Sequence, residues 1–257
     1  VHLLPEPQIV LVTGGVRGVG AGITRSFLRA GATVIACARR PPDAPIVVDG
    51  REPEYHACDV RDPDQVEELV AALVRAHGRL DTVVNNAGGA PHALAAQASP
   101  RHHAKVVELN LLAPLLVSQS ANRVMQRQER GGRIVMVSSV SARRPSPGTA
   151  AYGAAKAGLD ALTATLAVEW APKVRVNALD VGLVRTELSH LHYGDEADLD
   201  SVARTVPLGR LATPEEVGNC AVFLASPLSA YVSGATLAVH GGGEAPAFLS
   251  ASTREAG

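Results

Sequence analysis

Tyr152 and Lys156 stand four residues apart in the run AAYGAAKAG, residues 150–158, among side chains too small to pack against either of them. Aromatic residues make up only 3% of the chain, and Tyr152 is one of four tyrosines. On a helix, positions i and i+4 share a face, so the phenol and the ammonium are expected as neighbours. A fixed ammonium beside a phenol favours the phenolate and should draw its pKa down from about 10. Such a phenol can serve as an acid or base near neutral pH. Thirteen positions before Tyr152, the segment VMVSS ends in Ser138 and Ser139. A hydroxyl there can hold a carbonyl oxygen beside the phenol, and the small neighbours leave room for reactants. Taken alone, a tyrosine and a lysine at this spacing are commonly structural. The strand-end serines and a glycine-rich loop near the start of the chain give them chemical meaning.

That loop is TGGVRGVG, residues 13–20, in which Gly14, Gly18 and Gly20 follow a G-x-x-x-G-x-G spacing around Arg17 and Val19. Glycine lets the backbone turn with positive φ and approach a pyrophosphate, whose charge rests on the first amides of the following helix. NAD-binding folds usually end the second strand in a carboxylate that bonds the ribose 2'-hydroxyl. Here that strand ends ACARRPPD, with Ala38 in the carboxylate's place and then Arg39 and Arg40. Nothing at the strand tip repels a 2'-phosphate, and guanidinium groups fork onto phosphate oxygens. The expected cofactor is therefore NADP(H), with NAD(H) as the second candidate.

These residues need a scaffold, and strand-like and helix-like segments alternate throughout the chain. Strands are read at 9–13, 33–38, 80–86, 133–139 and 174–180. Helices are read at 20–31 and at 62–78, the latter with Asp62 as N-cap, Pro63 at its first position and a terminal glycine. Continuous apolar strands indicate a sheet covered on both faces. Short connections between alternating elements indicate an α/β doubly wound parallel sheet flanked by helices. No linker or repeat divides the 257 residues, so 1–257 is read as one domain, with 244–257 as a loose tail or subunit contact.

The balance of 24 basic and 25 acidic side chains, a net charge of -1, argues against nucleic-acid or membrane-surface partners. No apolar run approaches the ~18 residues of a membrane span. The opening VHLLPEPQ has neither a signal-peptide pattern nor a Met. Cys37, Cys58 and Cys220 are scattered, as expected of reduced thiols in a cytoplasmic protein.

Taken in order, TGGVRGVG, CDV (58–60), NNAG (85–88), ELN (108–110), VSS (137–139), YGAAK (152–156) and PLGRLATPEEV (207–217) resemble the short-chain dehydrogenase/reductase family over nearly the whole chain. The resemblance implies a Rossmann-like fold and a catalytic set of Ser139, Tyr152 and Lys156, with Asn110 completing a proton relay through water. It implies that Gly14, Gly18, Val19 and Gly20 cradle the cofactor, that Asp59 and Val60 flank the adenine, and that Asn86, Ala87 and Gly88 support the adenosine side. Thr186 would touch the nicotinamide amide, Tyr152 and Lys156 would also meet the cofactor, and Arg17 and Arg39 fall where NADP-preferring relatives carry a basic pair. A homotetramer formed through helices around 101–127 and 152–170 and the C-terminal segment is implied as well.

Two departures stand out. Val181, preceded by Asp180, occupies the place of the family's proline, and His240 that of an aspartate. The segment 183–209 takes the substrate-loop position, where His190 and His192 lie two apart with no third ligand evident, so no metal is expected. Arg143 and Arg144 could meet an anionic substrate or simply face water, and the basic residues of 122–133 would suit a carrier-protein thioester. The expected activity is interconversion of a secondary alcohol and a ketone, on a small-molecule substrate whose identity the residues do not specify. The alternative is a catalytically silent NADP(H)-binding sensor or scaffold of the same fold.

Overall fold

The computed structural model describes residues 4 and 6–246, and of Leu191 and His192 the backbone alone. Its strands are β1 (Ile9–Thr13), β2 (Thr33–Ala38), β3 (Glu54–Ala57), β4 (Thr82–Asn85), β5 (Gly132–Val137), β6 (Val174–Val181) and β7 (Thr236–Val239). They form one sheet in the order β3-β2-β1-β4-β5-β6-β7, every neighbouring pair parallel. The helices are α1 (Gly18–Arg29), α2 (Pro63–His77), α3 (Pro100–Val107), α4 (Ala113–Met125), α5 (Ala150–Glu169), α6 (His190–Tyr193), α7 (Glu196–Ala203) and α8 (Pro214–Ala225).

Strand β1 explains the layering. Its residues IVLVT are all buried, and successive side chains point to opposite faces. Ile9 and Leu11 join a core with Val66, Leu69 and Leu73 of α2, Val117 of α4 and Leu159 of α5. Val10 and Val12 join a second core with Ile23 and Phe27 of α1 and Val217 and Ala221 of α8. Helices α1 and α8 approach closely because two contact positions are glycine. A Cβ on Gly22 would fall 2.3 Å from the Pro214 carbonyl carbon, and one on Gly218 would fall 2.4 Å from Ser26 Oγ.

Helix α2 starts and stops as its residues demand. The Asp62 carboxylate accepts from the amides of Asp64 and Gln65, Pro63 opens the helix, and Gly78 closes it in the left-handed region. Sequence boundaries shift at the crevice edge and elsewhere, with β4 shortened from 80–86 to Thr82–Asn85. Helix α1 begins at Gly18, inside the glycine loop, and β5 ends at Val137, which leaves Ser138 and Ser139 just beyond it. The expected tail is tied down at its start: Arg144 bonds Glu244 at 2.6 Å, and the Ala245 amide donates to Thr205 O at 3.1 Å. Residues 247–257 lie outside the described ones. No described helix is long and apolar enough to cross a membrane.

Strand order reverses at β1 and β4, so the loops after these two strands part and leave a crevice at their C-terminal ends. The glycine loop, residues 86–89 and Ser139 all lie along that edge.

Candidate active site

Tyr152 sits in the first turn of α5, facing the loop that leaves β5. Ser139 caps the short turn Val140–Ala142, its hydroxyl accepting from the Ser141 amide at 3.2 Å, and it interacts with the Tyr152 phenol. One helical turn on, the Lys156 Nζ is buried and donates to Val137 O at 2.7 Å. It lies 5.6 Å from the centre of the Tyr152 ring.

This geometry corrects the expected electrostatics. Burial is the largest influence on Tyr152 and raises its pKa above the ordinary value of 10. Ser139 opposes that rise, and the neighbouring Tyr193 adds to it. Lys156, whose ammonium donates to Val137 O, does not reverse the effect of burial. Burial lowers Lys156 itself to about 8, with Asp160 opposing the shift.

Asn110 is fully buried in a π-helical turn, Glu108–Leu112, which joins α3 to α4 and interrupts the helix expected over 101–127. Such turns insert one residue into a helix and are frequent at functional sites. The Asn110 Nδ2 group donates to Gly89 O and Val106 O, each at 2.9 Å, and Oδ1 accepts from the Gly89 amide at 2.8 Å. Gly88 completes the corner. A Cβ there would lie 2.7 Å from Asn110 Oδ1 and 3.3 Å from Lys156 Nζ, so the two side chains converge on one point of the crevice wall.

The glycine loop is held by its own backbone and by residues after β4. Gly14 and Gly18 have φ of 63° and 51°, and a Cβ on Gly20 would lie 2.0 Å from Gly14 O. Asn86 Nδ2 donates to Thr13 O at 3.0 Å and Gly14 O at 3.2 Å, while the amides of Asn86 and Ala87 donate to Thr13 Oγ1. Asn86 and Ala87 thus brace the loop, and Gly88 faces the corner where Asn110 and Lys156 converge. The backbone cradle and the amide end of α1, with Val19 half-buried in its first turn, fit a dinucleotide's diphosphate.

At the far end of the crevice, Arg17 and Arg39 are exposed and form no salt bridge among the described residues. Asp59 forms an ion pair with Arg61 at 2.5 Å, and that hydrogen bond holds its carboxyl below the usual range. Val60 is buried behind it. Thr186 opens a tight turn, with Oγ1 accepting from the Leu188 amide at 3.2 Å.

A model of the family described as enoyl-(acyl carrier protein) reductase matches residues 14–244. The chain belongs to the short-chain dehydrogenase/reductase family. It is 35% identical to the 3-oxoacyl-[acyl-carrier-protein] reductase of Thermotoga maritima, over 92% of this chain and 98% of that protein. It is 33% identical to the human dehydrogenase/reductase SDR family member 4, over 91% and 87% of the two chains. The ligand-free aldohexose dehydrogenase of Thermoplasma acidophilum superposes with a TM-score of 0.86 at 27% identity, covering 98% of this chain and 97% of that one. The protein is thus an oxidoreductase of a family that works with nicotinamide cofactors.

Within this short-chain dehydrogenase/reductase, the two departures from the family pattern lie side by side. Val181 is buried in the core beneath α1 and α8. Asp180 points to the other face, where Arg143 Nε lies 3.2 Å from it and 3.9 Å from Asp160. Burial raises the Asp180 pKa, while Arg143 and His240 oppose the rise. Arg143 and Arg144 are therefore both engaged in ion pairs, with Asp180 and Glu244. His190 is exposed, the His192 side chain is not described, and no group of three metal-ligating side chains occurs among the described residues.

Proposed function

We propose that this short-chain dehydrogenase/reductase interconverts a secondary alcohol and a ketone with NADP(H), NAD(H) being the weaker candidate. The observation that carries this reading is Tyr152 with buried Lys156 5.6 Å from its ring and Ser139 acting on its phenol, at the C-terminal edge of the sheet. When bound, the nicotinamide cofactor supplies or accepts the hydride. Gly14, Gly18, Val19 and Gly20 would hold its diphosphate, Asp59 and Val60 its adenine, and Arg17 and Arg39 its 2'-phosphate. Asn86, Ala87 and Gly88 support the adenosine side, Thr186 meets the nicotinamide amide, and Tyr152 and Lys156 meet the nicotinamide ribose.

In the reducing direction, Ser139 polarises the carbonyl oxygen and Tyr152 delivers the proton. A pKa raised by burial suits Tyr152 to this role, since the phenol stays protonated at neutral pH until charge develops on the substrate oxygen. Lys156 orients the ribose, and Asn110 returns protons from solvent through water.

The reading extends to a homotetramer in the cytoplasm. Exposed Leu228, Tyr231 and Leu237 at the β7 edge, and Leu112 and Val168 on the helical face, support association. The three free cysteines suit a reducing compartment.

The test is a turnover screen with both cofactors over simple diketones, an aldohexose and a 3-oxoacyl thioester, the last chosen for its processing by the Thermotoga maritima relative. NADPH-dependent ketone reduction is the expected result. Tight cofactor binding without turnover on any of them would favour the silent sensor or scaffold.

A further inference from the structure

Helix α1 has no cap of its own. Its N-cap residue, Arg17, makes no side-chain capping bond, and the first turn contains no acidic residue. A twelve-residue helix with a bare positive end attracts an anion. In this protein the anion comes from 169 residues away: the Gly18 amide donates to Glu187 Oε1 at 2.8 Å.

Glu187 is delivered by a built turn. The Thr186 amide donates to Ser189 Oγ at 2.8 Å, the Leu188 amide to Thr186 Oγ1 at 3.2 Å, and the Ser189 amide to Thr186 O at 3.1 Å. Just before it, the Arg185 amide donates to Ala212 O at 2.8 Å and anchors the turn. Thr186 and Glu187 together lie against the glycine loop, since a Cβ on Gly18 would be 3.8 Å from Thr186 Cγ2 and 4.0 Å from Glu187 Oε1.

We propose that Glu187 is a resident anion at the phosphate-binding end of α1, which a dinucleotide's diphosphate must displace before the Thr186 turn is free to close on the nicotinamide end. This rests on the cofactor reading above. Two anions cannot share the amides of one helix end without mutual repulsion. Departure of the carboxylate therefore couples cofactor entry to movement of the first turn of segment 183–209. Glu187 sets the affinity for the cofactor by competing with it.

The experiment measures dissociation constants of NADPH, NADH and inorganic diphosphate by calorimetry for the full-length wild type, Glu187→Gln and Glu187→Ala, with no substrate present. Removing the charge should tighten NADPH and diphosphate binding on the order of threefold to tenfold. It should also lower the melting temperature of the cofactor-free protein, because the N-terminal end of α1 loses the carboxylate bound to its Gly18 amide. Glu187→Gln, which keeps an acceptor without the charge, should tighten binding while losing less thermal stability, and it serves if Glu187→Ala does not fold. NADPH binding that is unchanged or weaker in both variants would overturn the competition, while wild-type binding stands. A wild type that binds neither NADPH nor NADH would overturn the cofactor reading itself, and the inference with it.

Discussion

The glycine loop 13–20 and the segment 183–209 face each other across the crevice and are built on opposite plans. In the loop, contacts run through backbone atoms: Gly20 packs against Gly14 O with no space for a methyl group, and Asn86 bonds the Thr13 and Gly14 carbonyls. The segment instead relies on side chains around a small core of its own, Leu199, Val206 and Leu211, with Leu183 and Tyr193 packed against it. Its surface carries a solvent-facing ion pair, Arg185–Glu196, and Asp195 boxes the start of α7. A backbone-built site tolerates almost no side-chain change, while a side-chain-built one can be revised piece by piece. Side chains of the segment other than Thr186 and Glu187, which touch Gly18, can therefore change with little disturbance to the glycine loop.

The largest effect is expected where the two regions meet the chemistry. Tyr152→Phe should leave folding and cofactor binding nearly unchanged while turnover falls by roughly 10²–10⁴, the usual worth of a positioned acid. Near wild-type turnover in a steady-state assay would remove Tyr152 from its role. Next comes Gly20→Ala. Its methyl group would sit 2.0 Å from Gly14 O, so the loop must open. A cost of about 3 kcal/mol, equivalent to roughly a hundredfold loss of cofactor affinity, is expected. Calorimetric titration checks it.

A comparable effect should appear as a pH dependence at Lys156. Its folded-state pKa of about 8 lies below the ordinary 10.5, so between these values the unfolded chain binds more protons. Wild-type stability then gains from this group as pH rises through that window, and Lys156→Met lacks the gain. The stability of the variant relative to wild type should fall by about 3 kcal/mol across the window, measured by denaturant unfolding at several pH values. A constant difference would show that burial does not shift this lysine.

The cofactor's far end responds more mildly. Replacing Ala38 with Asp and Arg39 with Ser should move the NADPH:NADH ratio of kcat/KM toward NADH by about tenfold to a hundredfold, since each charge-assisted bond contributes roughly 1.5–3 kcal/mol. Salt will narrow the change, because both arginines are exposed. A wild type preferring NADH would refute the assignment. The smallest effect belongs to the segment's surface: Arg185→Ala should change stability by less than about 1 kcal/mol in thermal unfolding, as exposed pairs do.

Much of the scaffold was legible because local chemistry and tertiary structure agree. The β-branched runs became β1 and β2, and Asp62, Pro63 and Gly78 bounded α2 as their types require. Strands β3 and β7 carried weaker signals: EYHA is polar and half-exposed, and TLAV is short and sits at an edge. At the candidate site, residue types and spacing singled out Tyr152, Lys156 and the serines after β5, and the family resemblance chose Ser139 between them. The direction of the Tyr152 shift was not readable, because it depends on burial, which the folded structure alone sets. Nor was the Glu187–Gly18 bond, which joins residues brought together only by the crossover of the whole sheet. Asp180 and Arg143 were each visible as unusual, but pairing them requires knowing that Asp180 faces α5.

The π turn at Glu108–Leu112 loosens the rod without turning its face. In an α-helix each residue advances about 100° around the axis, so Val106, Asn110, Ala113, Val117 and Ala121 fall within about 80° of one another, and all are buried. What changes at the turn is the backbone ladder, which widens until the Ala113 amide reaches Glu108 O, five residues back. Asn110 spans the widened stretch with its side chain, donating to Val106 O while it holds Gly89. The amide is thus a brace across the one place where the rod's own bonding is stretched.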